Sequence, residues 1–247
     1  MKVLSIINRK GGVGKTTVTA NLAYELKHLG FNVLVVDLDS QCDLTKIFDK
    51  KTAEKNYTII DLLEKRCSIP QSIVKYEDNL SIIRGDKKSD IYLPNKSSYT
   101  IKKIFSSKLF HNYDYILLDH PPANGNIPFQ GLIASDKVVV VTDTEPFSYD
   151  NLKELILDIN IIKSKWNQSL AILGIVINRV DMRRTQTIKS IKAIRKAYSS
   201  TVLIQHISNN SAVPSSIYNH SVLRKLHWRS PCIKQLNSLA KEILERL

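Results

Sequence analysis

Lys10-Gly11-Gly12-Val13-Gly14-Lys15-Thr16-Thr17 follows the apolar run Val3 to Ile7, and reading this run, loop and helix start decides the fold. Glycines at 11, 12 and 14 let successive backbone N–H groups converge on phosphate oxygens, while Lys15 reaches the β/γ-phosphates and the Thr16 hydroxyl joins the shell of a Mg2+ ion. A helix starting near Gly14 adds its positive dipole end. The ordinary form of this loop would place glycine at position 9. Arg9 stands there, and a second lysine, Lys10, occupies the front of the loop. Asn21, Leu22, Leu26 and Leu29 continue a helical stripe to Gly30, which reads as a C-terminal stop.

Strand-like runs recur at Val3–Ile7, Val33–Val36, Leu80–Ile83, Tyr115–Leu118, Val138–Val141, Ile172–Ile177 and Val202–Ile204, with helical stretches between most of them. Continuous Val/Ile/Leu runs mark strands buried on both faces, as in a parallel sheet covered by helices. The expected fold is therefore a doubly wound, mostly parallel α/β sheet of P-loop NTPase type, with residues 1–247 forming one domain. Residues 50–113 are polar and lysine-rich and give the weakest pattern.

Hydrophobic residues make up 43% and charged residues 24%, as in an ordinary soluble protein. No segment reaches the roughly 18 apolar residues of a membrane span, and the N-terminal apolar run is too short for a signal peptide, so the expected compartment is the cytoplasm. Cys42, Cys67 and Cys232 are odd in number and widely spaced, which indicates neither a disulfide framework nor a metal cluster.

Acids stand at strand ends. Val35-Val36-Asp37-Leu38-Asp39 places two after the second run, and Ile116-Leu117-Leu118-Asp119 places a third. Ligands of doubly wound sheets collect at the carboxyl ends of the strands, and a phosphate-held divalent ion takes one or two protein carboxylates. At this point the chain resembles the ParA/MinD family of deviant-Walker ATPases. The resemblance runs through Lys10–Thr17, Asp37-Leu-Asp-Ser-Gln41, residues 116–122, residues 142–147 and Gly174-Ile-Val-Ile-Asn-Arg179. It implies ATP and Mg2+ as cofactors and a dimer that sandwiches nucleotide, with Lys10 reaching the partner's ATP. It further implies that Lys15 and Thr16 hold phosphate and metal, that Asp39 orients the attacking water, and that Asp37 and Asp119 support the metal. Asn178 would read the adenine, with Arg179 packed near the base. Arg9, Ser40, Cys42-Asp43 and His120 depart from the usual pattern, and none of them removes a phosphate or metal group.

The net charge of +13 is uneven, because residues 182–241 carry eleven Lys or Arg and no acid. Such a stretch is the footprint of a polyanion partner. Arg183 and Arg184 precede a helical pattern in which Ile188, Ile191, Ala197 and Tyr198 face inward and Lys189, Lys192 and Lys196 face out; Arg224 follows later. These cations suit phosphate contact with DNA of any sequence. With the first strand-like run starting at the beginning of the sequence, no helix-turn-helix extension is expected before it. The expected function is that of a ParA-type partition ATPase: a nucleoid-associated homodimer on nonspecific double-stranded DNA, stimulated by a centromere-binding ParB-type protein. Two alternatives stay open. One is a MinD-like membrane-cycling ATPase using the amphipathic stripe Ile233 to Leu247, whose polar face is of mixed sign and whose apolar face lacks Trp and Phe. The other is a DNA-binding regulator that uses ATP without hydrolysing it.

Overall fold

The computed structural model describes residues 1–49, 57–92, 98–122 and 125–247. Its strands are β1 (Lys2–Ile7), β2 (Val33–Asp37), β3 (Ile73–Glu77), β4 (Leu80–Ile83), β5 (Tyr115–Asp119), β6 (Lys137–Thr142) and β7 (Ala171–Ile177). Its helices are α1 (Lys15–His28), α2 (Asp43–Phe48), α3 (Ile59–Leu63), α4 (Ile69–Ser72), α5 (Thr100–Phe105), α6 (Asn126–Ala134), α7 (Ser148–Lys165), α8 (Thr185–Tyr198), α9 (Ala212–Tyr218), α10 (Leu223–Leu226) and α11 (Pro231–Arg246). The sheet runs β3-β4-β2-β5-β1-β6-β7 and is parallel except for β3, which pairs antiparallel with β4.

Alternate residues of each central strand feed different cores, as a period of two requires. Leu4, Ile6, Val33, Val35, Leu117, Val139 and Val141 join the cluster under α1 and α11. Val3, Leu34, Val36, Ile116 and Leu118 enter a second cluster, and Val138 and Val140 a third, on the opposite face. In α11, Cys232, Ile233, Leu236, Leu239, Ala240 and Ile243 are buried in the same cluster as Leu22 and Leu26 of α1. Truncating one of these leucines to alanine would cost about 2–5 kcal/mol. Helix α6 lies close to the strand it covers. A Cβ on Gly131 would come within 2.8 Å of His120 Cε1.

Two sequence expectations are corrected. Val202–Ile204 is no strand: Val202 forms an isolated parallel bridge with Ile175 and Ile204 turns out to solvent. Conversely β3 is a strand that no apolar run announced, because its residues are half-buried at the sheet edge. Parts of the weakly patterned stretch, 50–56 and 93–97, lie outside the described residues.

Candidate nucleotide site

The strand order places β1 between β5 and β6, so the loop after Ile7 opens at the point where the chain switches direction across the sheet. Gly14 caps α1 with φ 91° and no side chain bonds the first-turn N–H groups. A Cβ there would lie 2.4 Å from Asn178 Nδ2, so the position needs glycine for both conformation and space. Asn178 Nδ2 donates to Val13 O at 2.8 Å, and Arg179 Nη1 donates to Gly12 O at 2.8 Å. Residues 165 or more positions apart thus shape one loop, with open N–H groups at a helix N-terminus.

Behind the loop, Asp37 and Asp119 are register partners on β2 and β5, both fully buried. Burial raises the Asp119 carboxyl to about 8, with the Asp37 charge pushing the same way and the Thr16 and Thr19 hydroxyls and Lys15 opposing. Thr19 Oγ1 donates to its Oδ1 at 2.9 Å, whereas Oδ2 is buried with no hydrogen-bond partner among the described residues. Burial also raises Asp37, to about 6, but its oxygens are occupied by Thr45 N, Thr45 Oγ1 and Asp39 N at 2.9, 2.7 and 3.1 Å. Asp37 therefore braces the start of α2, and Asp119 keeps the free oxygen. Asp39 is half-buried and accepts from Gln41 N at 2.9 Å. Lys15 is buried, and desolvation lowers its pKa against the opposing charges of Asp119 and Asp39. Its Nζ donates to Lys10 O at 3.3 Å, curling the loop over the lysine.

These residues fit a Mg-nucleotide. Among the described residues no group of three or more His, Cys, Asp or Glu could hold a metal alone. A hard cation would need phosphate oxygens beside Thr16 and the orphaned Asp119 oxygen.

A cleft of about 470 Å3 adjoins the loop, lined by Gly12, Gly14 and Thr17 on one side and Asn178 and Arg179 on another. Its remaining wall, Ser208 to Asn210 with Val213, Pro214, Ile217 and Tyr218 of α9, was missed from sequence. Short Ser/Asn-rich turns carry no motif, and only the fold brings them to the loop.

His120 is fully buried. Ser135 Oγ donates to Gly131 O, so Ser5 Oγ donates to Ser135 and His120 Nε2 donates to Ser5. Burial lowers its pKa to about 3, keeping it neutral.

The proposed DNA cations divide. Lys189, Lys192 and Lys196 project from one exposed side of α8, and none enters an ion pair among the described residues. Facing the core, Ile194 is the buried aliphatic and Ala197 is exposed, which shifts the expected inward stripe by part of a turn. Arg183 is exposed but bound to Asp181, and Arg184 pairs with Glu145 and Asp181. Arg224 is not a free cation: its Nε and Nη2 donate to the buried carboxylate of Glu25 at 2.8 and 2.6 Å. Acids from elsewhere in the chain neutralise part of the basic stretch.

Comparison with known proteins agrees with this geometry. A family model described as an AAA domain matches residues 1–172. The sporulation initiation inhibitor protein Soj of Bacillus subtilis is 30% identical over 247 residues, covering 98% of each chain. Among solved structures, an ATP complex of Cyanothece McdA, carrying one Asp-to-Ala substitution, superposes with TM-score 0.87 at 20% identity, covering 99% of this chain and 96% of that one. The cobyrinic acid a,c-diamide synthase of Mycobacterium smegmatis with ADP and magnesium superposes at 0.84 and 22% identity, over 99% and 94%. At such identities these two likenesses establish the fold alone. With the domain match spanning most of the chain and the Soj likeness running from end to end, the chain belongs to the ParA/MinD family of P-loop ATPases.

Proposed function

We propose that the chain is a ParA-type partition ATPase whose ATP-bound dimer holds DNA of any sequence and whose hydrolysis is stimulated by a centromere-binding ParB-type protein. The observation that carries this reading is the row Lys189, Lys192 and Lys196, exposed on α8 and without an ion-pair partner among the described residues, in a chain that also carries a complete phosphate loop. Cations free of internal partners suit phosphodiester contact, which carries affinity without sequence information. ATP would lie with its phosphates on Gly11 to Thr17 and its base in the cleft beside Asn178 and Arg179. Mg2+, beside Thr16 and Asp119, would neutralise phosphate charge. Lys15 holds the phosphates, Asp39 orients the water, and Lys10 serves the partner subunit's nucleotide.

The packing of α11 favours this reading over the MinD-like one. Its apolar stripe is used up against α1, leaving that face unavailable to a bilayer. No helix among the described residues is long and apolar enough to cross a membrane. Against the regulator alternative, only one Asp39 oxygen accepts a hydrogen bond among the described residues, which leaves the other for water; a turnover measurement decides between the two. The deciding experiment measures binding to two unrelated DNA duplexes and to anionic liposomes, each with ATP, ADP and no nucleotide. ATP-dependent binding to both duplexes alike supports the reading. ATP-dependent sedimentation with liposomes and indifference to DNA would replace it.

A further inference from the structure

We propose that Asp143 and Ser148 form an internal latch for Lys10, which the free subunit must release before it pairs. This rests on the reading above that Lys10 acts across a dimer. Lys10 Nζ lies 3.0 Å from each oxygen of Asp143 and 3.1 Å from Ser148 Oγ. An ammonium has three N–H donors, and all three find acceptors, on Asp143 just after β6 and on Ser148, the first residue of α7. The Ser148 hydroxyl in turn donates to Asp143, closing the ring, and Glu145 N donates to the same carboxylate at 3.3 Å. Asp143 and Ser148 are 4% and 3% exposed, so this is a built socket.

Its neighbours reinforce it. Arg9 is tied to Asp158 and, at 4.0 Å, to Glu154 of α7. The front of the loop is thus fixed to α7 and the turn before it at two consecutive residues. The turn is itself strained: Phe147 sits at φ 65°, a conformation costly for an aromatic residue, and the residue is 76% exposed.

A lysine that must serve another subunit cannot do so while its donors are filled at home. Leaving the socket strips a nearly buried carboxylate of its cation, which is unfavourable. That penalty keeps the free chain latched. A triphosphate on a second copy, more negative than one carboxylate, is the anion able to outcompete Asp143. Asp143 is thus a positioning residue that sets the threshold for pairing and takes no part at the reacting atoms.

The test compares wild type, Asp143→Asn and Ser148→Ala without DNA or partner. Asparagine keeps the shape and the contacts from Ser148 and Glu145 N but removes the charge. Three quantities are read: affinity for a fluorescent ATP analogue, the protein concentration of half-dimerisation in ATP and Mg2+, and the acylation rate of Lys10 by an N-hydroxysuccinimide ester in the nucleotide-free chain. For Asp143→Asn we expect ATP affinity within about twofold of wild type. Half-dimerisation should fall at about tenfold lower concentration, the scale of one charge-assisted hydrogen bond. Lys10 should acylate several-fold faster, with Lys189 as an unchanged internal control. Ser148→Ala should move both quantities the same way by less. Unchanged Lys10 acylation in both variants overturns the latch, as does a higher dimerisation concentration in a variant with wild-type melting temperature. A wild type that binds ATP and never dimerises refutes the partition reading, while the acylation comparison still judges the socket by itself.

Discussion

Replacing Arg224 by alanine separates a structural cation from a DNA-contacting one. The guanidinium engages both oxygens of Glu25, whose side chain is 2% exposed, and Asn237 Nδ2 supplies one further contact at 3.2 Å. Removing one partner of a buried pair costs about 3–5 kcal/mol, because the remaining charge stays desolvated. Arg224 itself is 24% exposed, so water can partly replace it and the lower end applies, about 3 kcal/mol. With a urea m-value of about 3 kcal/mol/M for a chain of this size, the unfolding midpoint should drop by about 1 M. The assay is urea unfolding followed by circular dichroism, beside DNA binding measured well below the transition. The double variant Glu25→Leu/Arg224→Leu should recover most of the loss, since no charge is left unpaired. A midpoint shift below about 0.3 M, with DNA affinity reduced more than tenfold in folded protein, would show that Arg224 serves phosphate and that this reasoning is wrong.

Exchanging Lys189, Lys192 and Lys196 for Gln should weaken ATP-dependent binding to all duplexes alike and reduce the steepness of the salt dependence by about one unit for each phosphate no longer neutralised, taken over both subunits; an unchanged slope would move the surface elsewhere. Asp39→Ala should retain ATP and Mg2+ binding while turnover falls by at least about tenfold, and loss of nucleotide affinity in a binding titration would make Asp39 structural instead. The pH dependence of nucleotide-free stability follows from Asp119, whose folded pKa is raised to about 8. The folded chain therefore binds its proton more tightly than the unfolded chain, and stability falls as pH rises toward 8. Between pH 6 and 8 this group alone removes about 2 kcal/mol. Urea midpoints of Asp119→Asn should be flatter across that window, and parallel profiles would sink the assignment.

Much of the site was legible because its chemistry is local. The Lys10–Thr17 loop and the strand-end acids Asp37, Asp39 and Asp119 sit where strand, turn and helix patterns put them. What escaped has a common cause in distance along the chain. Arg224 looked free because its acid, Glu25, lies 199 residues earlier, and charge counts within a window cannot see such a partner. The cleft wall at 208–218 is assembled by the fold from residues without a motif of their own. Edge strand β3 escaped for the opposite reason: Ile73-Val74-Lys75-Tyr76-Glu77 is half-buried and mixed, so burial on two faces never wrote a continuous apolar run. Val202 and Leu203 are buried like strand residues, yet the chain passes the sheet edge with one isolated bridge.

The close approach of Gly131 to His120 ties two positions together in the drift of related sequences. An imidazole at 120 occupies the space that any Cβ at 131 would claim, and the ring is held by Ser5 and cannot step aside. A lineage that acquires alanine or larger at 131 must first have a smaller residue at 120, and one that acquires histidine at 120 is confined to glycine at 131. Glycine in mid-helix costs about 1 kcal/mol relative to alanine, so sequences lacking the histidine gain from losing it once Leu38, whose Cδ1 lies 2.9 Å from the same Cβ position, also gives way. The two positions should therefore change as a pair, in that order.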